Sequence, residues 1–171
     1  MLKLVGSVII VFATTLIGFR MAHAYRERPR ELRRLLQAVQ QLQAEVEYHA
    51  KPLPRALIDV GQNSGGACGK WFVTAAKHLQ EDGRSVAESF AAAAQSIASE
   101  SAYRSSDFDP LDGVAASLAT MDALHLHGQF QLAAQALEQA EVQAREEAER
   151  SARLWQYLGV LAGVLLVILL Y

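Results

Sequence analysis

The sequence predicts an all-α protein, a helical bundle of about six helices flanked by a transmembrane helix at each terminus. Alanine occurs 29 times and proline only 4 times, a composition that favours helix over strand. Through the middle of the chain, apolar residues recur at intervals of three and four, which is the spacing of amphipathic helices. At both ends, charged residues are absent over stretches long enough to cross a bilayer.

Size, composition and charge exclude several classes of protein. The 171 residues suit one domain, which argues against an enzyme with separate cofactor and substrate modules. The hydrophobic fraction of 51% is too high for a disordered chain. A single cysteine cannot form an internal disulfide or a cysteine-rich zinc site. Residues 35–144 carry 13 acidic and 6 basic side chains, so we expect no nucleic acid partner.

Two uncharged runs define the predicted membrane helices. They comprise 16 residues from Leu4 to Phe19 and 18 residues from Leu154 to Tyr171. About 18 to 20 helical residues cross the roughly 30 Å hydrocarbon core, so each run is just long enough. The predicted domains are an N-terminal transmembrane helix over residues 1–24, a cytoplasmic helical bundle over residues 25–153, and a C-terminal transmembrane helix over residues 154–171 that continues the last bundle helix.

Charge predicts the orientation. A cleaved signal peptide is the alternative for the first run, because residues 22–24 have the small-x-small form of a cleavage site. Six arginines between residues 20 and 34 favour the anchor, since a signal peptide would require most of them to be translocated. Arginine-rich segments next to a membrane helix usually stay on the cytoplasmic side. This positive-inside rule places the bulk of the chain in the cytoplasm and both termini on the far side of the membrane.

Proline positions and apolar spacing predict the first two bundle helices. Pro29 suits the first turn of a helix, so residues 27–30 predict a bend between the anchor and a helix that extends to residue 48. Pro52 ends this helix, a short second helix runs from residue 53 to 61, and residues 62–70 are expected to form a glycine-rich loop. The apolar face of the first helix comprises Leu32, Leu35, Leu36, Val39, Leu42 and Val46.

Three further helices precede the C-terminal one. The third covers residues 70–81, and a capping box at residues 85–88 starts the fourth. A turn at residues 105–110 leads to the fifth, and residues 127–128 are expected to turn the chain into a last helix, uninterrupted over residues 129–171. The residues expected to face the core from the third to the fifth helix are Trp71, Phe72, Ala75, Leu79, Phe90, Ala94, Ile97, Leu111, Val114, Leu118 and Met121.

One motif resembles a phosphate-binding loop without meeting its requirements. Residues 65–70 read GGACGK, but no strand precedes them and Trp71 takes the place of the serine or threonine that follows the lysine. We therefore expect a surface turn. Cys68 lies within it with no paired histidine nearby in the sequence, so we interpret the residue as an unreactive thiol.

The histidines and aspartates do not predict a metal site either. His125 and His127 point to different faces of a helix, and we interpret them as solvated turn residues. Asp107, Asp109 and Asp112 lack the glycine and the distal glutamate of a calcium loop, and an acidic group at a helix N-terminus accounts for them. We expect no catalytic residue, no cofactor and no metal.

Two features have both a structural and an interaction interpretation. Glu45 lies at the edge of an apolar helix face, where the carboxylate either pairs with a nearby lysine or arginine or contacts a partner. Gly159 and Gly163 form a Gly-x-x-x-Gly pattern in the last helix, which favours close packing of membrane helices.

Four sequence blocks together resemble the stage III sporulation protein AB family. They are residues 1–6 (MLKLVG), 27–32 (ERPREL), 42–48 (LQAEVEY) with the Pro52-Leu53 pair that follows, and 158–163 (LGVLAG). The resemblance covers the whole length. The sequence departs from the pattern at residues 125–129, where a Gly-x-x-Asp turn is expected, and in its alanine-rich centre.

The resemblance implies a non-catalytic platform in the mother-cell membrane, the outer forespore membrane, similar to the F-type platform of type II secretion and type IV pilus systems. The implied partners are the sporulation secretion-type ATPase (protein AA), other subunits of the mother-cell to forespore channel, and membrane lipid, with no small-molecule substrate. Our candidate contact residues for the ATPase are Arg28, Pro29, Arg30, Glu45, Tyr48, Pro52 and Leu53.

Two alternatives belong to other functional classes. A small metal-dependent membrane-bound enzyme would use Asp107, Asp109, His125 and His127, although the two turns that carry them lie about 20 Å apart at opposite ends of the fifth helix. A membrane-anchored coiled-coil tether would explain the alanine-rich stripe of the last helix and predicts an elongated dimer.

Overall fold

A computed structural model describes residues 27–120 and 123–170 of the chain. This part contains six α-helices and no strand, so the predicted all-α class is confirmed. The predicted transmembrane helix over residues 1–24 lies outside the described residues. Within those residues, no helix is both long and apolar enough to span a membrane. The helices are α1 Glu27–Glu47, α2 Leu53–Ser64, α3 Gly66–Glu81, α4 Val86–Ile97, α5 Pro110–Thr120 and α6 Ala123–Leu170, with a 3₁₀ turn at Ser105–Asp107.

The chain divides into two compact units. The larger unit is Arg30–Glu141, and the smaller contains the chain from Val142 onward together with the start of α1. Within the larger unit α3 packs against both α2 and α4, and α5 packs against α4. Four of the six residues predicted for the apolar face of α1 are buried, namely Leu32, Leu35, Val39 and Leu42. Ala38 is buried with them, whereas Leu36 and Val46 are half-buried.

Trp71 lies at the centre of the core of the larger unit. Its ring meets Phe72 and Phe90 edge to face, with centroids 4.7 and 4.8 Å apart, and stacks on Phe108 at 5.4 Å. The indole Nε1 donates a hydrogen bond to the carbonyl oxygen of Phe90 at 3.3 Å. Large rings in these arrangements contribute more than their buried area alone, so this cluster fixes how α3, α4 and the approach to α5 pack together.

The prediction of a glycine-rich loop at residues 62–70 is wrong. Helix α2 continues to Ser64 and α3 begins at Gly66, so Gly65 alone separates them. Gly65 and Gly66 have φ angles of 63° and 58°, which only glycine adopts without strain. Two glycine backbones then come close enough that a Cβ on Gly69 would lie 2.4 Å from the carbonyl oxygen of Gly61. The glycines therefore permit a tight helical hairpin, and Cys68 is buried within α3 instead of lying in a loop.

The prediction of a turn at residues 127–128 is also wrong. Both residues lie inside α6, which begins at Ala123. Gly128 is exposed and has open space around its α-carbon, so it is tolerated as a helix-interior glycine. The prediction of one uninterrupted last helix is confirmed, because α6 continues for 48 residues.

Side-chain caps organise the segments around α4. The predicted capping box is present: Ser85 Oγ accepts from the backbone of Glu88 at 3.3 Å, and the Glu88 carboxylate accepts from the backbone of Ser85 at 2.9 Å. The register of α4 differs slightly from expectation, because Ala93 is buried and Ala94 is only half-buried. After α4, the buried carboxylate of Asp107 accepts from the backbone N–H of Arg104 at 2.8 Å and closes the 3₁₀ turn.

Candidate interaction site

The α1–α2 corner, which comprises residues 45–53, brings together four of the predicted contact residues: Glu45, Tyr48, Pro52 and Leu53. The chain leaves α1 through a hydrogen-bonded turn in which the backbone N–H of His49 donates to Ala44 and that of Lys51 donates to Glu45. Ala50 carries a φ of 48°, the left-handed conformation that usually follows the end of a helix and that glycine adopts more readily.

A network of charged and ionisable side chains holds this corner. Lys51 Nζ lies 2.7 Å from Glu45 Oε2 and 3.0 Å from Asp59 Oδ2, so the lysine links the end of α1 to the middle of α2. His49 Nδ1 lies 3.3 Å from the same oxygen of Glu45. The Glu45 side chain is only 14% exposed, which limits what else it can contact. The structure thus supplies the lysine partner that one interpretation of Glu45 requires.

The network shifts the pKa values of its members in opposite directions. The Lys51 ammonium favours the charged carboxylate and holds the pKa of Glu45 below its ordinary value of 4.5. The carboxylates of Glu45 and Asp59 in turn raise the pKa of Lys51 above 10.5. Both groups therefore remain charged near neutral pH, and the corner keeps its internal pairing there.

Tyr48 stands out from the surface of the corner. The residue is 76% exposed although it is a large aromatic, and Pro52 beside the turn is exposed as well. Tyrosine is one of the residue types enriched among the side chains that contribute most to binding at protein interfaces. This geometry makes Tyr48 the strongest of the predicted contact residues.

The other three predicted contact residues lie in the first turn of α1 and do not join the corner. Arg28 Nη1 is 3.5 Å from Glu147 Oε2 on α6, and Pro29 is half-buried while Arg30 is exposed. Gly159 and Gly163 lie within α6.

A second polar cluster, which sequence reasoning missed, joins α1 to α6. Glu47 Oε2 is 3.0 Å from His127 Nδ1, and Gln43 Nε2 contacts both of these groups at 3.0 and 3.1 Å. Gln131 Nε2 reaches the other ring nitrogen of His127 at 3.0 Å. The spacing of Gln43 and Glu47, four residues apart on one helix, was the available signal, but their partner lies 80 residues further along the chain. His127 is therefore a contact between helices and does not lie in a turn, although its side chain remains 52% exposed to solvent.

The thiol and the candidate metal ligands show no reactive arrangement. Burial raises the pKa of Cys68 to about 12, so the thiolate is not available as a nucleophile near neutral pH. Among residues 27–120 and 123–170, no three His, Cys, Asp or Glu side chains are grouped so that they could hold a metal ion. The described residues therefore define an all-helical bundle protein in which several charged groups pair with one another.

Comparison with known proteins gives the family. The sequence profile of "Stage III sporulation protein AB" matches residues 3–171. Over 170 residues the chain is 31% identical to the stage III sporulation protein AB of Bacillus subtilis (strain 168), and the alignment covers 99% of each chain. The chain belongs to the stage III sporulation protein AB family, as the four sequence blocks predicted.

A solved structure of a family member shares the fold. It is that of stage III sporulation protein AB (SpoIIIAB), with a TM-score of 0.66 at 23% sequence identity. The match covers 72% of this chain and 97% of the solved one.

Proposed function

We propose that the protein is a non-catalytic membrane platform of the mother-cell to forespore channel, and that it docks the secretion-type ATPase of endospore formation (protein AA). Membership of a sporulation family supports the cellular process. The observation that carries the docking proposal is the α1–α2 corner, where an exposed aromatic side chain lies on an ion-paired turn. Other subunits of the channel are the further partners of the platform.

Membrane attachment is part of the same proposal. The uncharged runs Leu4–Phe19 and Leu154–Tyr171 serve as transmembrane helices, and Gly159 with Gly163 supplies a close-packing face in the second. With the arginine-rich segment on the cytoplasmic side, residues 25–153 face the mother-cell cytoplasm and both termini lie across the outer forespore membrane. A reporter that is active only in the cytoplasm should then be inactive when it is fused to either terminus. Cytoplasmic reporter activity at both termini would reject this topology.

The ion pairs of the corner explain how it would recognise the ATPase. Because Lys51 is already paired with Glu45 and Asp59 before a partner binds, the turn should lose less conformational freedom on binding than an unpaired turn. An exposed tyrosine contributes a large apolar area and a hydroxyl group while losing only two side-chain torsions. In this arrangement Tyr48 inserts into the partner, whereas Glu45 acts by positioning the turn.

The test measures association of the full chain in detergent with the purified ATPase, without nucleotide and with ATP or ADP. We expect Tyr48→Ala to weaken binding at least about tenfold, as for the loss of a buried aromatic anchor. Leu132→Ala is the matched control, because Leu132 is also a large exposed apolar residue, at 59%, but lies on α6. No association in any nucleotide state rejects ATPase docking, and equal effects of the two variants reject the corner as the docking surface.

A further inference from the structure

A cavity of about 260 Å³ lies between α4, the 3₁₀ turn and the start of α5. Ala91 and Ala94 of α4 and Ala98, the residue after its last turn, form an alanine wall, and Phe108, Asp109 and Asp112 also line the cavity. This α4–α5 cavity uses none of the residues of the α1–α2 corner. Its volume is below the roughly 300–1,000 Å³ of pockets that hold small molecules or cofactors, and it suits a single side chain.

The alanine wall is shaped for a helix. Ala91, Ala94 and Ala98 follow one another at three- and four-residue intervals. Because Ala98, at the C-cap of α4, still has helical backbone angles, all three lie on one face. Ala91 and Ala98 are exposed and Ala94 is half-buried, so this face is open in the described part of the chain. Small side chains allow a second helix to approach at the short end of the usual 8–10 Å between helix axes. A side chain on such a helix could then reach into the cavity.

The charges at the cavity select a cation. Neither Asp109 nor Asp112 takes part in an ion pair or a side-chain hydrogen bond within the described residues. Arg104 also lines the cavity, but two carboxylates against one guanidinium leave the local charge negative. By contrast, the glycine-lined cavity beside the α2–α3 hairpin contains a lysine, Lys70, that is already paired with Glu100 at 2.9 Å.

We propose that the α4–α5 cavity binds the arginine or lysine side chain of a partner helix that lies along Ala91, Ala94 and Ala98. The aliphatic part of the side chain packs between Ala94 and Phe108, and its cationic end meets Asp109 and Asp112. The partner is therefore a helical segment with a basic residue among small ones. This proposal does not depend on ATPase docking at the α1–α2 corner.

The test uses a blocked amino acid as the probe for the partner side chain. Full chain labelled with ¹⁵N in detergent is titrated with N-acetyl-arginine methylamide, and in parallel with the citrulline analogue, which has nearly the same shape but no charge. At the usual free energy per atom of small ligands, we expect a Kd on the order of 1 mM for the arginine probe. Backbone amide shifts should be confined to residues 91–98 and 103–112, and the citrulline probe should bind at least about fivefold more weakly.

Two sets of variants separate charge from shape. The double variant Asp109→Asn with Asp112→Asn keeps the size of both side chains and should remove the preference for arginine over citrulline, whereas Glu138→Gln on α6 should not. Ala94→Leu fills the cavity and should prevent binding of both probes, whereas Ala116→Leu, at an exposed position of α5, should leave binding unchanged. The amide spectrum of each variant also reports whether the fold is retained.

Three results would overturn the proposal. They are equal affinity of wild type for the arginine and citrulline probes, amide shifts outside the two segments, and stronger binding of N-acetyl-glutamate methylamide than of the arginine probe in the same cavity. The last result would assign the recognition to Arg104 instead of the two aspartates.

Discussion

The contrast between Gly69 and Gly128 gives the sharpest test of the fold. Both glycines lie inside helices, so replacing either with alanine should gain about 1 kcal/mol from helix propensity alone. The surroundings differ. A Cβ on Gly69 would lie 2.4 Å from the backbone carbonyl oxygen of Gly61, whereas a Cβ on Gly128 meets nothing within 4 Å.

The magnitudes follow from this difference. The contact at Gly69 is about 1 Å shorter than the 3.4 Å at which ordinary van der Waals contact begins, and the obstructing atom belongs to a backbone that cannot rotate away. Separating α2 from α3 to relieve it costs about 3 kcal/mol, at the upper end for overpacking. After the propensity gain is subtracted, Gly69→Ala should lower the free energy of unfolding by about 2 kcal/mol. Gly128→Ala should raise it by about 1 kcal/mol.

Denaturant unfolding of the full chain in mild detergent, followed by circular dichroism, measures both changes. Matching slopes against denaturant concentration would show that the variants differ in stability and not in the extent of unfolding. A destabilised Gly128→Ala variant would show that residues 127–128 form the turn that the sequence first predicted. A stable Gly69→Ala variant would refute the close approach of α2 and α3.

Three further predictions concern the corner and the core. Ala50 has a φ of 48°, a left-handed conformation that strains alanine but not glycine, so Ala50→Gly should stabilise the protein by about 1 kcal/mol in the same unfolding assay. As a control, Ala116→Gly in the middle of α5 should destabilise it by a similar amount. Because Lys51 lowers the pKa of Glu45 in the folded state, the pair stabilises the protein above pH 4.5, and this stability is lost as the pH falls through the folded-state pKa. In the same unfolding assay, Glu45→Gln should therefore lose less unfolding free energy on acidification than wild type. Cys68, whose pKa burial raises to about 12, should resist a thiol reagent at pH 8 in the folded chain and react only after unfolding, and rapid labelling of folded protein would contradict its burial.

Local patterns predicted the elements well where their signals were also local. The capping box at Ser85 and Glu88 needs only residues of one turn, and it forms as expected. The apolar face of α1 has the predicted register because burial of one helix stripe depends on spacing alone. The failures occurred at glycines. Gly65 does end a helix, but the adjacent Gly66 begins the next one, and nothing in the local sequence distinguishes this arrangement from a loop.

The interaction site was predicted in part, because some of its residues are neighbours in the sequence. Glu45, Tyr48, Pro52 and Leu53 are close in sequence, so the turn between two helices necessarily brings them together. Lys51 is also nearby, but its link to Asp59 depends on the direction in which α2 leaves the turn. The contact between Glu47 and His127 joins residues 80 positions apart and could not be inferred from spacing.

By itself, the sequence determined the all-α class, the family, the apolar faces of the helices and the unusual composition of the two ends. These follow from residue type and periodicity, which act within a few residues. Only the tertiary structure decided that Gly61 and Gly69 bring two helices into backbone contact, that His127 joins α1 to α6, and that the alanines at the end of α4 line a cavity together with Asp109 and Asp112. Such features depend on which helix faces pack together, and that choice is made by the summed burial of the whole core.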